Sequence, residues 1–227
     1  MHDPKEVAGR HAVGLVEDGM CVGLGTGSTV HFSILRLAER IRAEGIQVRC
    51  VPTSVDTEQK ARALGIPLIA LEEVEQIDLT IDGADEIDAQ FDMIKGGGGA
   101  LLREKVVASI SRREAIVVGV NKVVKRLGTT FPLPVEVVPF AISPVSRALA
   151  SLGCTPSRRL SGSEPHVTDN GNAVLDCRFE QGIPDAADLE RRIGSIPGVV
   201  ESGLFVGLAH VLFIGREDGT CEVRRRG

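Results

Sequence analysis

The sequence has no tryptophan and no tyrosine, and only seven phenylalanines in 227 residues. It therefore offers few aromatic faces on which the bases of a single-stranded nucleic acid could stack. A surplus of positive charge is missing too: 26 Lys and Arg stand against 31 Asp and Glu, a formal net charge of -5. No global field draws the chain to nucleic acid or to an anionic membrane. An anionic ligand must be held locally, by a few cationic side chains and backbone N–H groups. No apolar run approaches a membrane span, and the N-terminus lacks a basic region followed by an apolar stretch. The five cysteines (Cys21, Cys50, Cys154, Cys177, Cys221) are odd in number, widely spaced and without a C-x-x-C pair. This argues against a disulfide framework or a zinc site, and for reduced thiols in a soluble cytoplasmic protein. Cys21, in an apolar segment, is expected to be a small buried hydrophobe. The histidines (His2, His11, His31, His166, His210) show no metal-ligand spacing. Neither a transition metal nor a redox cofactor is signalled.

What is present is an alternation of apolar strands and amphipathic helices. Residues 20–24 form a buried strand leading into Gly25-Thr-Gly-Ser-Thr29. A helix follows, with Val30, Ile34, Leu37 and Ile41 on one face, closed by Gly45. Strands are expected at 48–51, 66–71, 77–81 and 115–120, and helices at 55–64 and 100–111. Alternation at this spacing predicts right-handed crossovers and a doubly wound, mostly parallel, Rossmann-like α/β sheet. The pattern changes at Phe131-Pro-Leu-Pro134. From there strands at 135–138, 155–160, 173–179 and 199–202 and helices at 143–152 and 185–196 give a β-α-β-β-α-β order, a smaller ferredoxin-like α+β unit. A final hairpin, 211–215 and 220–223 around Glu217-Asp-Gly219, is expected to return to the main sheet. The predicted domains are 1–130 with 204–227, and 131–203. Arg224 to Arg226 are expected to be a frayed, solvated tail.

In doubly wound sheets, ligands bind beyond the C-terminal ends of the strands, and three loops there are unusual. In Gly23-Leu-Gly-Thr26-Gly27-Ser28-Thr29, glycines let a ligand approach the backbone, and the helix N-terminus presents unpaired N–H groups and a favourable dipole. It lacks the third glycine of a dinucleotide fingerprint and the Gly-Lys of a Walker loop, so a phosphate site or a plain helix cap by Ser28 or Thr29 is expected. In Asp82-Gly-Ala-Asp85-Glu-Ile-Asp88 the crowded carboxylates must be offset by ligand hydroxyls, cations or protonation. The spacing is wrong for an EF-hand and leaves magnesium open without a distinctive pattern. The third loop is Lys95 followed by Gly96, Gly97, Gly98 and Gly99, with Glu104 on the next helix. Four glycines are costly to order, which points to a backbone pressed close to a ligand or to positive φ. Glu104 falls between Val107 and Ala108 on the helical wheel. Partial desolvation there would raise its pKa and make it a better base near neutrality.

A phosphate cradle, hydroxyl-binding carboxylates, a lysine and a poised glutamate suit proton abstraction beside the carbonyl of a small sugar phosphate, through an enediolate. Gly25-Thr-Gly-Ser-Thr29, Asp82-Gly-Ala-Asp-Glu86, Lys95-Gly-Gly-Gly-Gly99 with Arg103-Glu-Lys105, and Phe131-Pro-Leu-Pro-Val-Glu-Val137 together resemble ribose-5-phosphate isomerase, type A. The resemblance continues through Thr168-Asp-Asn-Gly171, Ile196-Pro-Gly-Val199 and Gly203-Leu-Phe205. It implies interconversion of ribose 5-phosphate and ribulose 5-phosphate in the non-oxidative pentose phosphate pathway, without a metal, by a homodimer or larger homo-oligomer. By the same resemblance, Glu104 is the proton-shuttling base and Asp82 and Asp85 bind substrate hydroxyls and assist ring opening. Lys95 supports the enediolate. Thr26, Gly27, Ser28, Thr29, Gly96, Gly97 and Gly98 contact substrate, with Lys5 and Lys122 as further anion-binding lysines. Asn121 stands where the family often has Ser, and Val30 where Ala is common. Two other readings are a non-catalytic sugar-phosphate sensor, which has no need of Glu104, and a related enzyme acting on another substrate. Of the latter, an acyl-CoA transferase would want a carboxylate nucleophile and a long CoA groove; an isomerase of another sugar phosphate is the nearer case.

Overall fold

The computed structural model describes residues 2–227. In chain order its helices are α1 (Pro4–Ala12), α2 (Ser28–Glu44), α3 (Val55–Ala63), α4 (Leu101–Ser109), α5 (Ile142–Ala150) and α6 (Ala186–Gly194). Its strands are β1 (Cys21–Leu24), β2 (Arg49–Pro52), β3 (Leu79–Asp82), β4 (Glu86–Ile87), β5 (Met93–Ile94), β6 (Glu114–Gly119), β7 (Leu133–Val137) and β8 (Thr155–Arg158). They continue with β9 (Leu160–Ser161), β10 (Glu164–Pro165), β11 (Ala173–Arg178), β12 (Val199–Ser202), β13 (Leu204–Phe205), β14 (Val211–Gly215) and β15 (Cys221–Arg225). The chain forms two compact units, one from residues up to 84 with 103–123 and 208–227, the other from 85–102 and 124–207.

The first unit is built on a six-stranded sheet in the order β15-β14-β6-β3-β1-β2. All its pairings are parallel except that of the edge strand β15. Every residue of β1, β3, β6 and β14 is buried, which is why these segments read as continuous apolar runs rather than alternating ones. On α2, Val30, Ile34 and Leu37 of the expected stripe are buried together with Ala38, Ile41 packs half-buried against the same core, and Gly45 caps the helix at φ 71°. The sequence reading passed over α1, although Asp3 caps it by accepting from the Lys5 N–H and Pro4 sits in its first turn, both ordinary helix-start signals.

The second unit has a four-stranded antiparallel sheet in the order β12-β7-β11-β8, with α5 between β7 and β8 and α6 between β11 and β12. This is the expected βαββαβ arrangement. Its core joins Leu133, Val135, Val137, Val145, Leu149, Leu175 and Ile193. A three-stranded sheet, β13-β5-β4, and the β9–β10 hairpin complete it.

Three expectations change. The strand at 66–71 reduces to one parallel bridge, Cys50 to Leu68, followed by a 3-10 turn at Leu71–Glu73, because Pro67 has no N–H to extend a ladder. Arg224 and Arg225 are not a frayed tail: they belong to β15, Arg224 Nε bonds Glu222 at 2.7 Å, and the Arg226 N–H bonds His210 O. Residues 85–102, expected with the main domain, cluster with the second unit, since β5 pairs with β4 and β13 and the Lys95 N–H donates to Gly203 O. Among the described residues no helix is long and apolar enough to cross a membrane.

Candidate active site

In the first unit, β1 ends at Leu24 and the chain turns through Gly25, Thr26 and Gly27 into α2. Gly27, at φ 122° and ψ 176°, is the N-cap and supplies no side-chain bond. The first amides of a 17-residue helix are thus left without a cap. Ser28 is exposed and Thr29 half-buried, in the first turn. The alternative of a cap by either hydroxyl is therefore corrected: both residues lie inside the helix, and glycine holds the cap position. A helix start with free amides and hydroxyls is suited to a phosphate.

Thr26 faces the other way. Its N–H donates to Asp82 Oδ1 at 3.1 Å, and its hydroxyl lies 2.8 Å from both Thr53 Oγ1 and Ser54 Oγ. Thr57 Oγ1 donates to Gly25 O at 2.8 Å. These three buried hydroxyls, which the sequence reading missed, anchor the loop to the start of α3. A Ser opening a helix directly after a strand was the available signal.

Asp82 is fully buried at the end of β3, and its Oδ1 also accepts from the Gly83 N–H at 2.7 Å. Gly25 is required here: a Cβ on it would lie 2.0 Å from Asp82 Oδ1. On α4, Glu104 is 5 % exposed and shares its buried face with Leu101, Val107 and Ala108, as the helical wheel predicts. Lys122, half-buried, closes a 3-10 turn after β6. Lys5 is exposed in the first turn of α1, whose Pro4 abuts Gly119 and Gly215 at the C-terminal ends of β6 and β14.

In the second unit, Lys95 is 2 % exposed, with Nζ 5.3 Å from the centroid of the Phe205 ring. The glycine run behind it is an ordered turn. Gly96 and Gly99 take φ of 99° and 81°, and the Gly99 N–H closes onto Gly96 O at 2.9 Å. The Gly97 N–H donates to Asp85 Oδ2 at 2.7 Å, and a Cβ on Gly97 would meet that carboxylate at 2.6 Å. Gly98 is exposed.

Backbone amides offset part of the crowding of carboxylates at 82–88. Besides the amides on Asp82 and Asp85, Asp88 Oδ1 accepts from the Gln90 and Asp92 N–H groups. Glu86, fully buried, accepts from the N–H groups of Gly128, Thr130 and Phe131 and from the Thr130 hydroxyl. Among the described residues no three His, Cys, Asp or Glu side chains are grouped to hold a metal ion.

Residues 49–219 match the family described as ribose 5-phosphate isomerase A (phosphoriboisomerase A). The ribose-5-phosphate isomerase A of Thermosynechococcus vestitus is 50% identical over 224 residues, covering 97% of this chain and 94% of that protein. A ribose 5-phosphate isomerase structure from Plasmodium falciparum superposes with a TM-score of 0.94 at 40% identity, covering 97% of each chain. A D-ribose-5-phosphate isomerase structure in complex with phospho-erythronic acid gives a TM-score of 0.95 at 33% identity, over 99% of this chain and 100% of the other. From end to end, in sequence and in fold, the chain belongs to the ribose 5-phosphate isomerase A family.

Proposed function

We propose that the chain interconverts D-ribose 5-phosphate and D-ribulose 5-phosphate by proton transfer through an enediolate, with Glu104 as the base. The observation that carries this is Glu104 itself, a carboxylate 5 % exposed on the apolar face of α4. Such a carboxylate on a packed helix is costly to bury and is suited to proton transfer. In the forward direction Glu104 takes the proton from C2 of the open-chain aldose and returns it to C1, while the O2 hydroxyl proton passes to O1, leaving the carbonyl at C2. Lys95 and amides of the glycine run stabilise the negative charge that develops on oxygen. Asp82 and Asp85 hold substrate hydroxyls and assist ring opening. Their Oδ1 and Oδ2 atoms respectively are already fixed by backbone amides, which sets how each carboxylate is presented. The phosphate is received by the exposed start of α2, through the amides and hydroxyls of Ser28 and Thr29 and the backbone of Gly27. Thr26, whose own hydroxyl is taken by Thr53 and Ser54, keeps that loop in shape. Lys122 and Lys5 add positive charge for the anion. A relative solved with phospho-erythronic acid, a phosphorylated acid, supports an anionic substrate of this size. The protein works in the cytoplasm in the non-oxidative pentose phosphate pathway, as a homodimer or larger homo-oligomer.

The test is proton NMR of ribose 5-phosphate in D₂O with EDTA-treated protein. Ribulose 5-phosphate should appear, with deuterium at C1. Substrate binding without product would favour a sensor, and neither binding nor product would mean another sugar. Glu104→Gln should bind the sugar phosphate and lose turnover by ~10²–10⁴-fold, the usual cost of losing a general base. Retention of more than about a tenth of the activity would remove Glu104 from that role.

A further inference from the structure

One cation outside these assignments is built into the second unit with unusual completeness. Arg159 directly follows β8, and its side chain is 12% exposed. Its guanidinium pairs side-on with Asp176 of the central strand β11, Nε to Oδ2 at 3.0 Å and Nη2 to Oδ1 at 2.5 Å. The remaining edge points at the glycine run: Nη1 donates to Gly96 O at 2.7 Å and to Gly97 O at 3.1 Å. From the other side of the same hairpin, His166 backs onto Gly99, where a Cβ would lie 2.4 Å from its Nε2. The His166 N–H bonds Arg159 O at 3.0 Å, and its Nδ1 sits 3.0 Å from Ser161 Oγ. Two carbonyls and the far end of a four-glycine turn are thus held by one hairpin, itself tied to the sheet by a bidentate ion pair.

Peptide geometry gives this clamp a chemical consequence. No peptide bond among the described residues is cis, so each carbonyl and the N–H that follows it point in opposite directions. Fixing Gly96 O aims the Gly97 N–H, which is the amide found on Asp85 at 2.7 Å. Fixing Gly97 O aims the Gly98 N–H away from the guanidinium, at an exposed residue. Glycine has the widest backbone freedom of any residue, and an amide stabilises a developing oxyanion only if its direction is set beforehand. We propose that Arg159, held by Asp176, is a positioning residue for the isomerisation: by gripping Gly96 O and Gly97 O it presets the amides of Gly97 and Gly98 for Asp85 and for the enediolate oxygen. The inference rests on the assignment of the glycine run to the reacting end of the substrate.

The experiment is steady-state kinetics on Arg159→Ala, Arg159→Lys and Asp176→Asn, with a thermal melt of each and with guanidinium ion added to the alanine variant. Removing an oxyanion donor outright costs ~10²–10³ in kcat. Loosening one should lower kcat by about tenfold to a hundredfold in Arg159→Ala, with KM for ribose 5-phosphate within about twofold. Lysine, one ammonium in place of a fork, should recover little of the loss. Asp176→Asn should fall between, and guanidinium ion should restore part of the alanine variant's kcat without changing its KM. If Arg159→Ala does not fold, the lysine and asparagine variants carry the test by the same kcat-against-KM split. Unchanged kcat, a raised KM with kcat retained, or a loss that follows melting temperature and resists guanidinium would each overturn the clamp. An inactive unaltered chain would overturn the isomerase assignment and the clamp with it. An active chain that tolerates all three variants would overturn the clamp alone.

Discussion

Glu86 and Glu136 are both fully buried glutamates of the same unit, and the same substitution should affect them very differently. Each has one oxygen that accepts three hydrogen bonds. For Glu86 Oε1 the donors are the Thr130 N–H, the Thr130 hydroxyl and the Phe131 N–H. For Glu136 Oε1 they are the Thr168 hydroxyl and the side-chain amides of Asn170 and Asn172. The difference lies in the second oxygen. Glu86 Oε2 accepts the Gly128 N–H at 2.5 Å, whereas Glu136 Oε2 has no partner among the described residues. Replacement by glutamine keeps a carbonyl oxygen for the three shared donors and puts an NH₂ at the second site. The weakening of those three bonds is common to both and cancels in the comparison. The new NH₂ has no acceptor at either site, so that cost cancels too. What is left is the charge-assisted bond from the Gly128 N–H, worth about 1.5–3 kcal/mol. Glu86→Gln should therefore be about 1.5–3 kcal/mol less stable than Glu136→Gln. At about 2–4 °C per kcal/mol for a chain of this length, the melting temperatures should differ by roughly 3–12 °C. Parallel melts by circular dichroism, with urea titrations for ΔG, make the comparison. Equal melting temperatures, or a lower one for Glu136→Gln, would refute the reasoning.

Two further outcomes are expected. Gly25→Ala puts a methyl 2.0 Å from Asp82 Oδ1 and 2.2 Å from its Cγ. The carboxylate must leave the Thr26 and Gly83 amides, so kcat/KM should fall by on the order of 10² while the circular dichroism spectrum is kept; more than a tenth of wild-type kcat/KM would contradict this placement of Asp82. Burial pushes the Cys50 thiol up to about 12 and raises the Cys21 thiol, so at pH 8 both are protonated and unreactive. Labelling of the native protein, read by mass spectrometry, should reach the half-buried Cys221 first and Cys50 only on unfolding; early modification of Cys50 would be the contrary result.

Where burial is continuous and local, the sequence was a reliable guide. The α2 stripe, the all-buried strands β1, β3, β6 and β14, and the βαββαβ order all follow from periodicity and turn residues. The buried face of α4 placed Glu104 correctly beside Val107 and Ala108. Strands of two residues, such as β4, β5 and β13, carry no periodicity to detect. Nor does a chain betray which amides a carboxylate will meet 42 residues away, as Glu86 meets Gly128. The Asp82–Asp88 segment shows its charge density and its place at a strand end in the sequence; the backbone amides that bind Asp82, Asp85 and Asp88 come from turns whose approach only tertiary structure fixes. Arg159, just past β8, and Asp176, within the neighbouring β11, are 17 residues apart and were invisible for the same reason.

The chain passes from one compact unit to the other four times, at 84/85, 102/103, 123/124 and 207/208. During synthesis the first 123 residues cannot finish the sheet they mostly build, because β14 lies directly beside β6 and follows it only after the whole of residues 124–207. Until Val211, Leu212, Phe213 and Ile214 arrive, one flank of β6 is an open, apolar edge. Asp82 and the α2 loop therefore reach their final sheet only after β14 has been made. Truncation after His210 would remove β14 and β15 together. A nascent chain stalled before them would be a substrate for chaperones and proteases, not a partly active enzyme.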